Sequence, residues 1–163
     1  MTFQILLGSA TLLCALVAGF VFAFACVAMP GLGTLGDREF LHGFQVIDRV
    51  IQNNQPVFLL VWVGSIVTLI ASGAYGVLQL EGADRWLLIV AVVVYLLGVQ
   101  LPTITQNVPL NNQLQTLDLA TLDESAVATA RVAFEAPWNR WNVLRTVLAT
   151  VTTALLIVVL LRL

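Results

Sequence analysis

The amino-acid sequence predicts an all-α membrane protein, a bundle of four transmembrane helices with short amphipathic helices in the first and third connections. Three observations carry that prediction. Of the 163 residues, 60% are hydrophobic and only 10% are charged. Four apolar stretches, at about 3–29, 56–79, 86–107 and 138–161, are each long enough to cross a bilayer, which takes about 20 such residues. The segments between them are too short to form a second domain, and no internal repeat is present, so 1–163 reads as a single unit.

The first stretch is apolar on every face. Ala23-Phe24-Ala25 ahead of Cys26 resembles a signal or lipoprotein cleavage site, but no basic residue precedes the apolar run, so a retained span is expected. Ala15, Gly19 and Ala23 recur every fourth residue and predict the close approach of a neighbouring helix. Cys14 and Cys26 lie too far apart along one helix to bridge and read as packing residues. Met29-Pro-Gly-Leu-Gly33 is expected to end this span.

Asp37 is placed to cap an amphipathic helix running to about Gln52. Phe40, Phe44, Ile47 and Ile51 form its apolar stripe, and Arg38, His42, Gln45, Arg49 and Gln52 form the opposite one. Asn53-Asn-Gln-Pro56 then breaks the helix. The second span carries small residues at Gly64, Ser65, Ser72 and Gly76, and a polar turn, Glu81 to Arg85, leads to Trp86 and the third. Near the end of the third span Gln100, Thr103 and Asn107 fall at i, i+3 and i+7, and share a face. Pro102 and Pro109 bracket them and predict a kink.

Asn111 and Asn112 read either as ligand-binding amides or as the end of that helix. Thr121 and Glu124 have capping-box spacing for a short helix at 123–134. Pro137 suits the first turn of the fourth span, and Trp138, Trp141, Asn142 and Arg145 share one face of it. Arg162 lies near the far end, where its long stem allows it to snorkel.

Four spans put both termini on one side of the membrane and both longer connections on the other. The polar helix, the polar end of the third span and the aromatic start of the fourth then meet at one face, which suits a ligand pocket better than three unrelated interfacial decorations. Tryptophan and arginine also collect at membrane interfaces, and that simpler origin stands beside the pocket. An arginine within the first turns of a span fits it least well, because an unpaired charge there is costly.

Several function classes are excluded or disfavoured. The net charge is −2 and every basic residue is an arginine, with no basic cluster, which argues against nucleic acid as a partner. His42 is the only histidine, so neither a metal site built from several histidines nor a haem held between two is possible. No metal or other cofactor is expected. The absence of paired half-bundles and of an acidic residue within a span disfavours a transporter. Arg38, Arg49, Arg131, Arg140 and Arg145 outnumber Arg85 and Arg162 on the other side. The positive-inside rule therefore predicts a protein of the cell membrane with the connections cytoplasmic and both termini outside.

Met29-Pro-Gly-Leu32, Gln52-Asn-Asn-Gln-Pro56, Asn107-Val-Pro-Leu-Asn-Asn112 and Trp138-Asn-Arg-Trp-Asn-Val-Leu-Arg145, in that order over nearly the whole chain, resemble the anthrone oxygenase-like membrane proteins. The resemblance implies a four-helix membrane bundle. It also implies, as in those members with an assigned reaction, an oxygenase converting anthrone to anthraquinone without metal or flavin. The partners would be a hydrophobic, anthrone- or quinol-like small molecule, dioxygen and the lipid bilayer. Such chemistry requires a flat apolar slot, a base and donors facing an enolate oxygen.

Trp138 and Trp141 suit stacking on the rings. Arg145, Asn111, Asn112 and Asn142 suit holding the oxygen, and His42 has the side chain whose ordinary pKa fits a base near neutrality. Gln45, Arg49, Gln100, Thr103 and Asn107 complete the expected pocket. The alternative is a non-catalytic membrane protein that binds a small apolar ligand or a partner membrane protein, and a homo-oligomer is left open.

Overall fold

The computed structural model describes residues 2–163, and among them there is no strand. Five helices follow one another: α1 (Thr2–Leu32), α2 (Asp37–Gln52), α3 (Pro56–Gln79), α4 (Gly82–Gln115) and α5 (Glu124–Leu161). All but α2 are long and apolar enough to span a membrane, so the predicted all-α bundle with four membrane-crossing helices is the observed architecture. At 1.5 Å per residue, the 24 residues of α3 extend about 36 Å, close to a bilayer's hydrocarbon core plus its margins. The 38 residues of α5 reach about 57 Å, so its first turns project well beyond the spans.

Two apolar cores stack along the bundle. The first, within the spans, gathers Leu7, Cys14 and Val17 of α1, Leu69 of α3, Leu88 and Tyr95 of α4, and Ala149 and Leu156 of α5. The second lies at the connection end, where α2 packs Phe40, Leu41 and Phe44 against Phe134 and Trp138 of the projecting part of α5. Two arginines fasten this end. Arg131 donates to Glu135, Asp37 and the carbonyls of Gly33 and Leu35, with its guanidinium 4.4 Å from the centre of the Phe40 ring. Arg38 donates to Glu124 and to the Leu119 and Leu122 carbonyls.

At the opposite end Gly82, at φ +53, makes the tight turn between α3 and α4, a conformation that residues with a Cβ rarely adopt. Arg162 pairs with Asp84 there at 2.5 Å.

Local structure departs from the sequence expectations in instructive ways. Pro137 does not open a helix, because α5 runs through it without interruption from Asp123, whose carboxylate caps the helix by accepting from the Ala126 N–H at 2.8 Å. The Thr121–Glu124 capping box does not form. Pro102 and Pro109 lie within α4, and Pro30 lies just before the end of α1 at Leu32, inside the Met29–Gly33 stretch expected to end it. The backbone passes them with π-helical turns at Phe24–Ala28, Leu96–Gln100 and Thr103–Asn107, a widening that accommodates groups left unpaired in a regular ladder.

The small stripe of α1 faces outward, with Gly19 and Ala23 exposed. In a helix apolar all round, small-residue spacing does not choose the packed face. The face of α2 is also rotated: Gln45 and Asp48 are buried while Ile47 is exposed. Gln45 turns inward because its amide donates to the Leu114 and Leu117 carbonyls at the end of α4.

Candidate functional site

Where α1, α2, α3, α4 and α5 converge, between the two cores, they enclose a cavity of about 330 Å³, within the size range of small-molecule sites. Its walls are mostly apolar, and six of the lining residues are aromatic. Phe20 and Phe24 come from α1, Phe44 from α2, Phe58 and Trp62 from α3, and Trp138 from α5. Phe58 and Trp62 are stacked with centroids 5.3 Å apart, and Phe44 meets Trp138 edge-on at 5.2 Å.

Polar groups are few and grouped. Asn142 anchors α5 to α1 by donating to the Val21 carbonyl at 3.0 Å, and its Oδ1 accepts from Arg145 Nη2 at 2.9 Å. Arg145 Nη1 donates to Thr103 Oγ1 at 3.0 Å. Arg145 is only 5% exposed and takes part in none of the ion pairs among the described residues. Its guanidinium carbon lies 5.8 Å from the centre of the Trp138 ring. A buried cation with neutral partners alone keeps most of its desolvation cost.

The same cavity also contains Asp48, 3% exposed and equally without a cationic partner. Its Oδ1 accepts from Asn111 Nδ2 at 2.7 Å and its Oδ2 from Gln115 Nε2 at 2.9 Å. Asn111 accepts in turn from Trp138 Nε1 at 2.8 Å, so this one amide links the carboxylate to the aromatic wall. Gln100 Nε2, Asn107 Oδ1 and Arg145 Nε, all on cavity-lining residues, are buried without a hydrogen-bond partner, and such groups call for an explanation.

The sequence model of the family described as Anthrone oxygenase matches residues 49–155, about two thirds of the chain. The protein belongs to the anthrone oxygenase family. No curated protein and no solved structure matches it. The family match takes in Gln100, Thr103, Asn107, Asn111, Trp138, Asn142 and Arg145, and it begins immediately after Asp48.

Within this anthrone oxygenase family fold, the residues singled out by sequence divide into two groups. Gln100, Thr103, Asn107, Asn111, Trp138, Asn142 and Arg145 line the cavity together. His42, Gln45, Arg49, Asn112 and Trp141 do not line it. His42 is exposed beside Arg38, Glu39 and Leu119 in a separate surface groove. Arg49 is exposed, and Trp141 is half-buried one turn away from Arg145. Asn112 is exposed and accepts from Gln52 Nε2 at 2.9 Å, while Gln45 is occupied by backbone carbonyls.

Asp48, Phe20, Phe24, Phe44, Phe58 and Trp62 were not marked as site residues by sequence. For Asp48 a signal existed: it lies three residues after Gln45 on the same helix, and a carboxylate amid Val46, Ile47, Val50 and Ile51 needs a partner. Among the described residues no group of three His, Cys, Asp or Glu side chains is placed to hold a metal ion.

Proposed function

We propose that this protein is a membrane-embedded oxygenase acting on a flat, hydrophobic aromatic ketone of the anthrone type, or a quinol-like equivalent, and that the reaction runs without a metal or organic cofactor. The observation that carries the reading is a pair of opposite buried charges, Asp48 and Arg145, that line one aromatic-walled cavity without pairing with each other. A charge separation of that kind is costly in the empty protein. It is offset when a bound molecule gives up a proton on one side and gathers negative charge on the other.

An anthrone does both. Its methylene is acidic because the conjugate base is an aromatic enolate. Asp48 takes the methylene proton, and Arg145, with Asn142, stabilises the enolate oxygen. The electron-rich enolate reduces dioxygen by one electron, and the two radicals combine to a peroxide that takes the proton back from Asp48. Loss of water then leaves a carbonyl where the methylene was. One dioxygen is consumed and one water released, and the substrate itself supplies the electrons. His42 stands outside the cavity in this scheme, and the base role passes to Asp48. Trp138 and the phenylalanines hold the ring plane.

The test is oxygen uptake by the purified protein in detergent or vesicles with emodin anthrone, against Asp48→Asn and Arg145→Met. Enzyme-dependent uptake that both substitutions abolish supports the reaction. Uptake no faster than spontaneous oxidation, with tight binding of the corresponding anthraquinone, instead makes the protein a binder of such molecules. We further propose that the connection end faces the cytoplasm of the cell membrane.

A further inference from the structure

We infer that the cavity takes its ligand sideways, from the hydrocarbon of the bilayer, through a gap between α3 and the second half of α4. The inference rests on the ligand role proposed for the cavity, but not on oxygenation. Helix α3 packs against α4 along Gly82–Tyr95 and then parts from it. Beyond that point a hydrogen bond crosses the gap, from Trp62 Nε1 to Gln100 Oε1 at 3.0 Å. On the α4 side of the gap the cavity's lining reaches the outer surface, with the apolar Ile104 66% exposed and Val108 41%, and on the α3 side Phe58, Trp62 and Ile66 are half-buried.

The depth of the gap decides what it opens onto. Along α3, Phe58, Trp62 and Ile66 lie about 3, 9 and 15 Å from the start of the helix at 1.5 Å per residue, and α3 carries no charged residue throughout its length. The deeper part of the rim, at Trp62 and Ile66, therefore falls in hydrocarbon rather than in water. On the aqueous side the way in is closed by α2, whose Asp48 and Gln45 are tied to Asn111, Gln115 and the Leu114 and Leu117 carbonyls. A lateral path suits a ligand that partitions into lipid, and it lets apolar substituents trail into the bilayer from a cavity of about 330 Å³.

The experiment uses full-length protein in phosphatidylcholine vesicles with Cys26→Ser, which removes the exposed native thiol and leaves only the buried Cys14. Single cysteines are placed at Ile104, on the gap, or at the exposed Gln113, on the connection side, and each is reacted with a bulky maleimide. The readout is the rate at which 1,8-dihydroxyanthraquinone, a probe that needs no turnover, quenches tryptophan fluorescence. Labelling Ile104→Cys should slow association at least about tenfold, whereas labelling Gln113→Cys leaves it unchanged. The reverse pattern, or equal rates in all four samples, overturns lateral entry. Slowed association in a protein that fails to oxygenate anthrone would leave lateral entry standing and remove the oxygenase. No quenching by the unlabelled protein would remove both.

Discussion

Replacing Arg145 by methionine separates a functional charge from a structural one, because the two roles predict opposite balances of stability and activity. The substitution keeps an unbranched apolar stem and deletes the guanidinium. It removes hydrogen bonds to Thr103 and Asn142, worth about 1.5–3 kcal/mol each when the donor is charged. Against that stands the desolvation cost of a cation that is 5% exposed and has no carboxylate partner, several kcal/mol per ion even after relaxation. The two nearly cancel, so the stability of the ligand-free protein should change by no more than about 2 kcal/mol in either direction. Turnover should respond quite differently, since loss of the group facing a developing oxyanion typically costs 10²- to 10³-fold, about 3–4 kcal/mol of barrier. The assay pairs denaturation in mild detergent with oxygen uptake on emodin anthrone. A variant destabilised by more than about 4 kcal/mol whose folded fraction keeps wild-type kcat would refute the reasoning and make Arg145 a structural residue.

Four further outcomes follow from the same geometry. Asp48→Asn should keep anthraquinone binding within a few-fold and lower kcat by about 10²–10⁴, the range for loss of a general base, as single-turnover oxygen consumption would measure. Gly98→Val should destabilise the bundle by about 1–3 kcal/mol in thermal unfolding, because a Cβ there meets Leu148 Cδ1 at 2.5 Å on α5. Asp123 should make the start of α5 acid-sensitive. Its bonds from the Ala126 N–H and Ser125 hydroxyl hold its pKa below the ordinary value, so the cap contributes above the unfolded pKa and is lost as pH falls through the lower folded value. The protection factor of the Ala126 amide, its exchange rate relative to the unstructured rate at the same pH, should fall in that acid window and stay flat there in Asp123→Ala. A reporter fused after Leu163 should be active only if it works outside the cell, and a cytoplasmic signal would reverse the proposed orientation.

The spans were legible because hydrophobic length is set by the bilayer, and 56–79 coincides with α3 residue for residue. The start of α5 was not, because Pro137 lies well inside the helix rather than in its first turn. Among neighbouring helices a proline need not end a helix, and near Pro30, Pro102 and Pro109 the ladder widens into π turns. Within the cavity wall, Gln100, Thr103 and Asn107 could be grouped from their spacing because a helix face is a local property. For Asp48 the sequence offered its place on α2, three residues after Gln45, but not its neighbours. Its position depends on α2 folding back onto the projecting turns of α4 and α5, a long-range event whose partners, Asn111 and Gln115, lie more than sixty residues on. The inward turn of Gln45 is of the same kind, since it answers to carbonyls that only the tertiary structure brings near.

That long-range event also explains why two helices outgrow the membrane. A cavity wholly within hydrocarbon would have no route for protons, and one wholly outside would present its aromatic walls to water. By extending α5 to 38 residues and α4 to 34, the chain builds a second apolar core beyond the spans and seats α2 on it, so that the cavity lies across the boundary. Under the proposed reaction its lipid-side wall would meet apolar reactants where they partition, dioxygen among them. On the other side Gln52 Nε2 donates both to Asp48 Oδ2 at 3.3 Å and to the exposed Asn112 at 2.9 Å. A nitrogen that donates at both ends ties the carboxylate to the polar surface but cannot carry its proton outward. Under the proposed reaction no such relay is needed, because the proton taken by Asp48 is returned within each cycle. Gln52→Leu should therefore leave kcat near wild type in steady oxygen supply, and a kcat lowered about tenfold or more would mean that the proton does not return from Asp48 directly.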